Sequence, residues 1–379
     1  MKRILMLILP LILIFTSVVC YAEEQSNPPF DIDGELGKLG SEQLLDEIPE
    51  EAKETLDKMN FSGMSISEII AMSPNEFFNV IKNIVVTQVR RPIQIFATLI
   101  GIILLSAFLT GMKQSFLDNS LNGVFSVVSA LCVISFISEP IVKCISSTAR
   151  GLQQCALFIL SFIPVFTGVV AAGGHPLTAT TYNIFLFTAC QIVSQVAASV
   201  LIPLMSIYFA MCLVSSAAPE MNLDGITSFI KTSVCWVLGL MTTIFVGLFS
   251  IQTLVGTGSD ALATKAGRFI IGSFIPVVGG ALSDAFSAAQ GCLLLMKSTL
   301  GAFAVVIALL TFLPVVINVS IWTMLMSITG EIAKMLGVET LSKLFKSAGS
   351  TLSVMLAFLM CFGLLVIVCT TVVMVIGMG

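Results

Sequence analysis

Residues Ser161–Val165, Ser-Phe-Ile-Pro-Val, recur letter for letter as Ser273–Val277. Each copy lies inside a long apolar stretch, and each is soon followed by a glycine pair, Gly173–Gly174 and Gly279–Gly280. In a membrane protein, a duplicated proline–glycine interruption indicates an internal repeat and discontinuous helices that line a path. The alternative is a chance match among many Val, Ile and Phe residues.

The composition predicts a membrane protein. The chain is 56% hydrophobic and 11% charged, with a mean hydropathy of +1.03, whereas soluble domains carry about 25% charged residues. It cannot cover itself with polar surface, so we expect lipid to be its main solvent. The net charge of −4, without a basic block, argues against nucleic-acid binding.

Residues 1–22 are typical of a secretory signal peptide. Lys2 and Arg3 precede the apolar run Ile4–Val19, and Cys20–Ala22 offers a cleavage site after Ala22. An uncleaved anchor is the alternative, and in both cases the following segment is exported.

Residues 23–91 are predicted to form an exported acidic helical segment, since they hold most of the acidic residues. Ser41 is a candidate cap for a helix to about Lys58, with Leu44, Leu45, Ile48 and Leu56 on one side. Ser73–Glu76 fits a capping box with Pro74 at the first helical position. The apolar face of the helix after Pro74 needs a partner, the membrane surface or the chain's own membrane domain.

Residues 92–379 are predicted to form an all-α polytopic membrane bundle of about 7–8 spans, from the length of its apolar runs. The candidate spans are 93–112, 121–142, 153–172, 184–218, 234–256, 269–296, 299–320 and 351–378. Counting Lys and Arg in the gaps favours one kinked crossing for 184–218, with Pro203 at its centre. Three crossings then separate the two repeat copies, which predicts an inverted repeat.

The candidate path-lining residues or structural breaks carry polar groups or interrupt helices. Asp284 is an ionisable group within an apolar run, which is costly in lipid and is typical of a functional site; the alternative is a helix cap or an aqueous loop. Gln191 and Gln195 belong to a polar stripe that faces other helices or a water path. The complete set is Pro164, Gly173, Gly174, Gln191, Gln195, Pro276, Gly279, Gly280 and Asp284.

The sequence lacks the common catalytic motifs. It contains one histidine, His175, and neither a metal-binding His/Glu motif nor a nucleophile elbow nor a P-loop. We therefore expect no catalytic, cofactor-binding or metal-binding residue and no enzymatic activity, and any transport would use an ion gradient or a separate ATPase. Glu139 and Lys143 are predicted to pair at helical spacing.

The stretch from Ala263 to Gly279, continuing through Leu282–Ala285 to Leu293–Lys297, closely resembles the stage III sporulation protein AE family of endospore-forming bacteria. The order of parts agrees as well: signal, short acidic exported segment, polytopic membrane domain. The resemblance implies a permease-like subunit of a mother-cell-to-forespore transport complex, in the mother-cell membrane that surrounds the forespore. It implies ring-forming membrane partners and a separate cytoplasmic ATPase. A stand-alone secondary transporter is the alternative.

Overall fold

The computed structural model describes residues 41–57, 66, 74–116, 119–173, 176–217, 223–274 and 279–375, and these are almost entirely helical. The helices are α1 (Ser41–Asp46), α2 (Glu50–Asp57), α3 (Pro74–Phe116), α4 (Asn119–Ala172), α5 (Pro176–Val196), α6 (Ile202–Ala217), α7 (Asp224–Phe274), α8 (Gly279–Met335) and α9 (Glu339–Val375). The prediction of an all-helical membrane bundle is confirmed. The proposed signal peptide lies outside the described residues.

The single helix predicted from Ser41 to about Lys58 is wrong, because α1 and α2 are separate. Pro49 divides them: it has no N–H to donate and disfavours helical geometry at Ile48. Its carbonyl instead accepts the Lys53 N–H at 2.9 Å, in the first turn of α2. The apolar side is confirmed, since Leu44, Ile48 and Leu56 are buried.

The predicted start at Pro74 is confirmed, but α3 does not stop at the expected boundary before Pro92. It runs for 43 residues through that proline. The helix that begins at Pro74 and the first apolar span are therefore one continuous rod.

Two pairs of predicted spans are likewise fused. Residues 121–142 and 153–172 both lie in α4, and the predicted gap between 296 and 299 lies inside α8. The short polar gaps do not end helices, since their Ser and Thr hydroxyls bond to carbonyls one turn back, as Thr148 does to Cys144 at 2.8 Å. Six helical stretches within the described residues are long and apolar enough to cross a membrane. The count of Lys and Arg in the predicted loops included Lys143, Arg150 and Lys297, but all three lie inside helices. The count therefore no longer supports an inverted repeat.

Residues 176–217 form one helical stretch with a π-helical turn at Ala197–Leu201. Within it, the Ile202 N–H bonds to the Ala197 carbonyl, five residues back. A proline ring collides with the carbonyl four residues before it in a regular helix, and the widened turn lies directly before Pro203. One continuous helical stretch agrees with the favoured interpretation of residues 184–218.

The centre of the bundle is the antiparallel hairpin of α8 and α9. Gly337, with φ of +75°, ends α8, and the Gly337 and Val338 amides bond back to Lys334 and Ala333, which is the Schellman pattern that glycine favours. The two helices approach closely at Gly330, whose carbonyl accepts the buried Ser342 hydroxyl at 2.9 Å. Residues 300–313 of α8 are all buried, so the hairpin fills the middle of the molecule.

The long helices exceed the thickness of a bilayer. At 1.5 Å per residue, the 54 residues of α4 extend roughly 80 Å, against a hydrocarbon core of about 30 Å. Even a strongly tilted α4 cannot be immersed along its whole length. The lateral contacts between helices therefore show which parts of them lie at the same position along the long axis of the bundle. We call this position the height.

Contacts place the apolar stretch of α3 beside one half of α4 and that of α7 beside the other half. Arg91 pairs with Glu139 at 3.0 Å, so residues 93–111 of α3 lie alongside 121–138 of α4; we call this the first apolar zone. Rings of Phe166 and Tyr182 lie 6.2 Å apart and those of Phe185 and Phe245 lie 5.2 Å apart. Through α5 these contacts place Phe245 beside residue 163 of α4, so residues 237–251 of α7 lie beside residues 155–169 of α4. We call residues 155–172 of α4, with this part of α7, the second apolar zone.

Candidate functional site

A belt of exposed polar and charged side chains separates the two apolar zones. The belt lies at the height of residues 139–154 of α4, and the neighbouring helices contribute polar groups at the same height. The members of this polar belt are Arg90, Arg91, Glu139, Lys143, Arg150, Gln195, Ser199 and Lys231. The belt is the main concentration of charge on the outside of the long helices in the described part of the chain, apart from the tip of the central hairpin.

The best-defined feature of the belt is a three-residue ion network. Glu139 Oε1 accepts hydrogen bonds from Lys143 Nζ at 2.6 Å and from Arg91 at 3.0 Å. The pair within α4 confirms the prediction from i, i+4 spacing, whereas Arg91 was not foreseen, because its partner is 48 residues away along the chain. All three side chains are more than half exposed, so the network orients α3 on α4 and adds little to stability.

Gln191 and Gln195 face outward. Both side chains are exposed, and the Gln195 amide donates to the Ser199 hydroxyl one turn later at 2.9 Å. They therefore do not connect α5 to the helices behind it. Gln195 and Ser199 belong to the polar belt, and Gln191 lies one turn above it.

Pro164 does not break its helix, so the predicted discontinuity there is wrong. α4 continues through it to Ala172, and its ring lies on the exposed side. The Thr167 hydroxyl donates to the Ile163 and Pro164 carbonyls at 2.9 and 3.1 Å. Whether Pro164 lines a path stays a prediction.

The end of α4 contacts α8 well after the second glycine pair. A Cβ on Gly173, just after α4, would lie 3.8 Å from Leu293 of α8. Gly174 and Pro276 lie outside the described residues, while Gly279 and Gly280 open α8 and Asp284 follows in its second turn. The placement of the Asp284 carboxylate is not described, so its role stays a prediction.

Sequence reasoning missed a small cavity between α2 and the bundle. It measures about 160 Å³ and is lined by α2, α3 and Pro314 of α8. Two buried oxygens at this junction, Glu51 Oε2 and Gln88 Oε1, have no hydrogen-bond partner in the part of the chain that the structure describes. The lining residues are Glu51, Glu54, Thr55, Val80, Asn83, Ile84, Thr87, Gln88 and Pro314. The cavity shows where α2 packs against the bundle, at the height of the polar belt.

Comparison with known proteins identifies the family. The profile of Stage III sporulation protein AE (spore_III_AE) matches residues 58–377. This chain belongs to that family. The match begins just after α2, so it includes both apolar zones and the polar belt and leaves out α1 and α2.

A curated relative supports this assignment. Stage III sporulation protein AE of Bacillus subtilis (strain 168) is 23% identical over 241 residues, which is 62% of this chain and 59% of that protein. The matched region is therefore less than two thirds of the relative's length. No solved structure matches the chain. Membership of the stage III sporulation protein AE family supports a role in sporulation, and the apolar helices indicate a membrane protein.

Proposed function

We propose that this chain is a membrane subunit of a complex that carries material between the mother cell and the forespore. It would reside in the mother-cell membrane that surrounds the forespore, beside ring-forming membrane proteins and a separate cytoplasmic ATPase. Family membership supports the link to sporulation. The length of the apolar surface along the bundle, which exceeds the thickness of one bilayer core, supports the role of a subunit in a complex.

The length of the apolar surface along α4 is the observation on which the proposal rests. The two apolar zones and the polar belt together cover α4 from residue 121 to 172, roughly 78 Å at 1.5 Å per residue. One bilayer core covers about 30 Å of this. Exposed apolar side chains occur in both zones, Phe108 in the first and Leu248 in the second, at 64% and 53% exposure. Apolar surface that lipid does not cover requires another protein surface, as in an assembly.

The packed centre favours a path between subunits over a path within one subunit. Residues 300–313 of α8 are enclosed on every side, and the rings of Phe158 and Phe303 meet there at 6.2 Å. The buried Thr311 hydroxyl bonds to the carbonyl of Ile307 at 2.8 Å. This core hydroxyl is thus occupied by its own helix.

The chemistry of the chain agrees with a separate motor. The described residues contain no group of three His, Cys, Asp or Glu that could hold a metal ion, and the sequence has no P-loop. We propose that the chain performs no catalysis itself and that the ATPase supplies the energy.

Deletion and complementation test the proposal. Removing the gene should leave vegetative growth unchanged and stop development after engulfment, and the full-length chain should restore spores. Normal spore counts in the deletion strain would contradict the proposal. Transport by the purified chain alone in proteoliposomes would favour the stand-alone transporter.

A further inference from the structure

The cavity between α2 and the bundle is lined mainly by side chains that carry oxygen. These lining residues are Glu51, Glu54, Thr55, Asn83, Thr87 and Gln88. The first three belong to α2 and the others to α3. None of the described lining residues is a lysine, an arginine or a histidine. The lining thus places two carboxylates at one cavity and supplies no basic side chain.

The oxygens deepest in this lining can only accept hydrogen bonds. Glu51 Oε2 and Gln88 Oε1 are buried and have no hydrogen-bond partner among the described residues. Thr55 is 5% exposed, and its hydroxyl donates its proton to the Glu51 carbonyl at 2.7 Å, which leaves its oxygen as an acceptor. Pro314, which lines the cavity from α8, has no N–H to donate. Because unpaired buried oxygens are costly, these atoms require a positively charged or hydrogen-donating occupant.

The ligand chemistry of the cavity selects a hard metal cation. Ca²⁺ binds about six to eight oxygens from carboxylates, carbonyl groups and water, in a flexible geometry. The lining contains neither sulfur nor imidazole, the ligands typical of zinc and copper sites. The volume of about 160 Å³ compares with roughly 10–15 Å³ for one enclosed water molecule. The cavity therefore accommodates a cation together with several of its waters.

We propose that this cavity binds a Ca²⁺ ion, which is held by Glu51 of α2 and Gln88 of α3 and fastens α2 to the bundle. Thr55 supplies a further oxygen, and water completes the coordination shell. Ala52 and Leu56 are also buried on α2, so the ion reinforces an apolar contact. Sites with few charged ligands bind weakly, and we expect a Kd on the order of 0.1–1 mM.

This site departs from the expectation that the chain has no metal-binding residue. That expectation rested on the missing metal-binding motifs, which detect ligands close together in the sequence. The described residues contain no group of three His, Cys, Asp or Glu. The proposed site needs no such group, because amide, hydroxyl and water oxygens complete its shell.

Equilibrium dialysis with radioactive calcium measures the binding directly. The purified full-length chain in mild detergent, stripped with a chelator and kept at constant ionic strength, should bind about one Ca²⁺ per chain in the millimolar range or below. Glu51→Gln should lose this binding. Absence of binding to the unaltered chain would overturn the proposal.

Glu50→Gln is the matched control. Glu50 and Glu51 both lie in the first turn of α2, but Glu50 is exposed and does not line the cavity. The two substitutions remove the same charge from the same helix end, so they lose the same favourable interaction with the helix dipole. Glu50→Gln should keep the binding. Equal binding by Glu50→Gln and Glu51→Gln would mean an adventitious ion only and would overturn the site.

Gln88→Glu tests the ligand from α3. An additional charged ligand strengthens calcium sites, so this variant should bind about tenfold more tightly than the unaltered chain. Calcium binding by Gln88→Glu alone would show that the substitution creates the site, and would overturn the proposal. Unchanged affinity in Gln88→Glu would refute Gln88 as a ligand.

Limited digestion tests whether the ion fastens α2. Lysyl endopeptidase cuts after lysine, and Lys53 is exposed on α2, so cleavage there reports opening of the helix. At a calcium concentration ten times the measured Kd, cleavage after Lys53 should slow about tenfold in the unaltered chain and in Glu50→Gln, but not in Glu51→Gln. An unchanged rate in a chain that binds the ion would refute the coupling to α2. These measurements do not involve sporulation, so their failure leaves the proposed function to its own test.

Discussion

The close approach of α8 and α9 makes Gly330→Leu the sharpest test of the central hairpin. A Cβ at Gly330 would lie 3.3 Å from the Phe345 Cβ and 3.6 Å from the Lys346 backbone nitrogen. An isobutyl group there must displace α9, and overpacking of this kind costs about 1–3 kcal/mol. Displacement also breaks the bond from Ser342 to the Gly330 carbonyl, which is worth about 0.5–1.5 kcal/mol. We therefore expect a loss of about 2–4 kcal/mol.

The assay is thermal unfolding of the purified chain in mild detergent, compared with Gly239→Leu. Gly239 is exposed on α7 and has nothing within 4 Å of its Cβ position, so leucine there should be tolerated. For a large domain, each kcal/mol lowers the midpoint by about 2–4 °C, so Gly330→Leu should unfold at least about 4 °C below the control. Equal midpoints for the two variants would refute the close packing of the hairpin.

Three further predictions concern the exported segment, the belt and the repeat. Cysteine in place of Asn60, in a background without native cysteines, should react with an impermeant thiol reagent on intact vegetative cells that produce the chain, where the exported side of the membrane faces the medium. Labelling only after lysis would oppose the prediction that the segment is exported. Glu139→Gln should lower stability by less than about 1 kcal/mol in the same unfolding assay, because exposed ion pairs contribute little; a larger loss would mean that another surface covers the network. Asp284→Asn should reduce spore counts at unchanged protein level if the charge of Asp284 serves a path. Pro164→Ala should leave spore counts unchanged, because α4 is continuous at that residue. Normal counts in Asp284→Asn together with reduced counts in Pro164→Ala would assign function to the proline.

The sequence predicted much of the helical fold and its membrane character. The apolar side of residues 41–57, the start at Pro74, the Glu139–Lys143 pair and the family all followed from composition, periodicity or recognisable residues. These features depend on neighbours within one or two turns, or on a long matching stretch. Local information was sufficient for them.

Helix ends were harder to predict, because prolines and polar gaps act differently in different surroundings. Pro49 separates two short helices, whereas Pro92 and Pro164 lie inside long ones, because packing against neighbouring helices can keep a membrane helix continuous through a proline. Lys297 was assigned to a loop on its charge, but it is buried within α8. The partner of Arg91 and the cavity beside Pro314 depend on contacts between distant segments, which no local pattern reveals.

The most direct measurement of the central claim is the mass of the native particle. The chain should be expressed at its natural level in sporulating cells, crosslinked lightly, extracted in mild detergent and measured by size exclusion with light scattering. The account predicts a protein mass several times the 40.4 kDa of one chain, containing this chain, and loss of that particle in cells that do not sporulate. A particle with the mass of one chain, from cells that complete sporulation normally, would contradict the account.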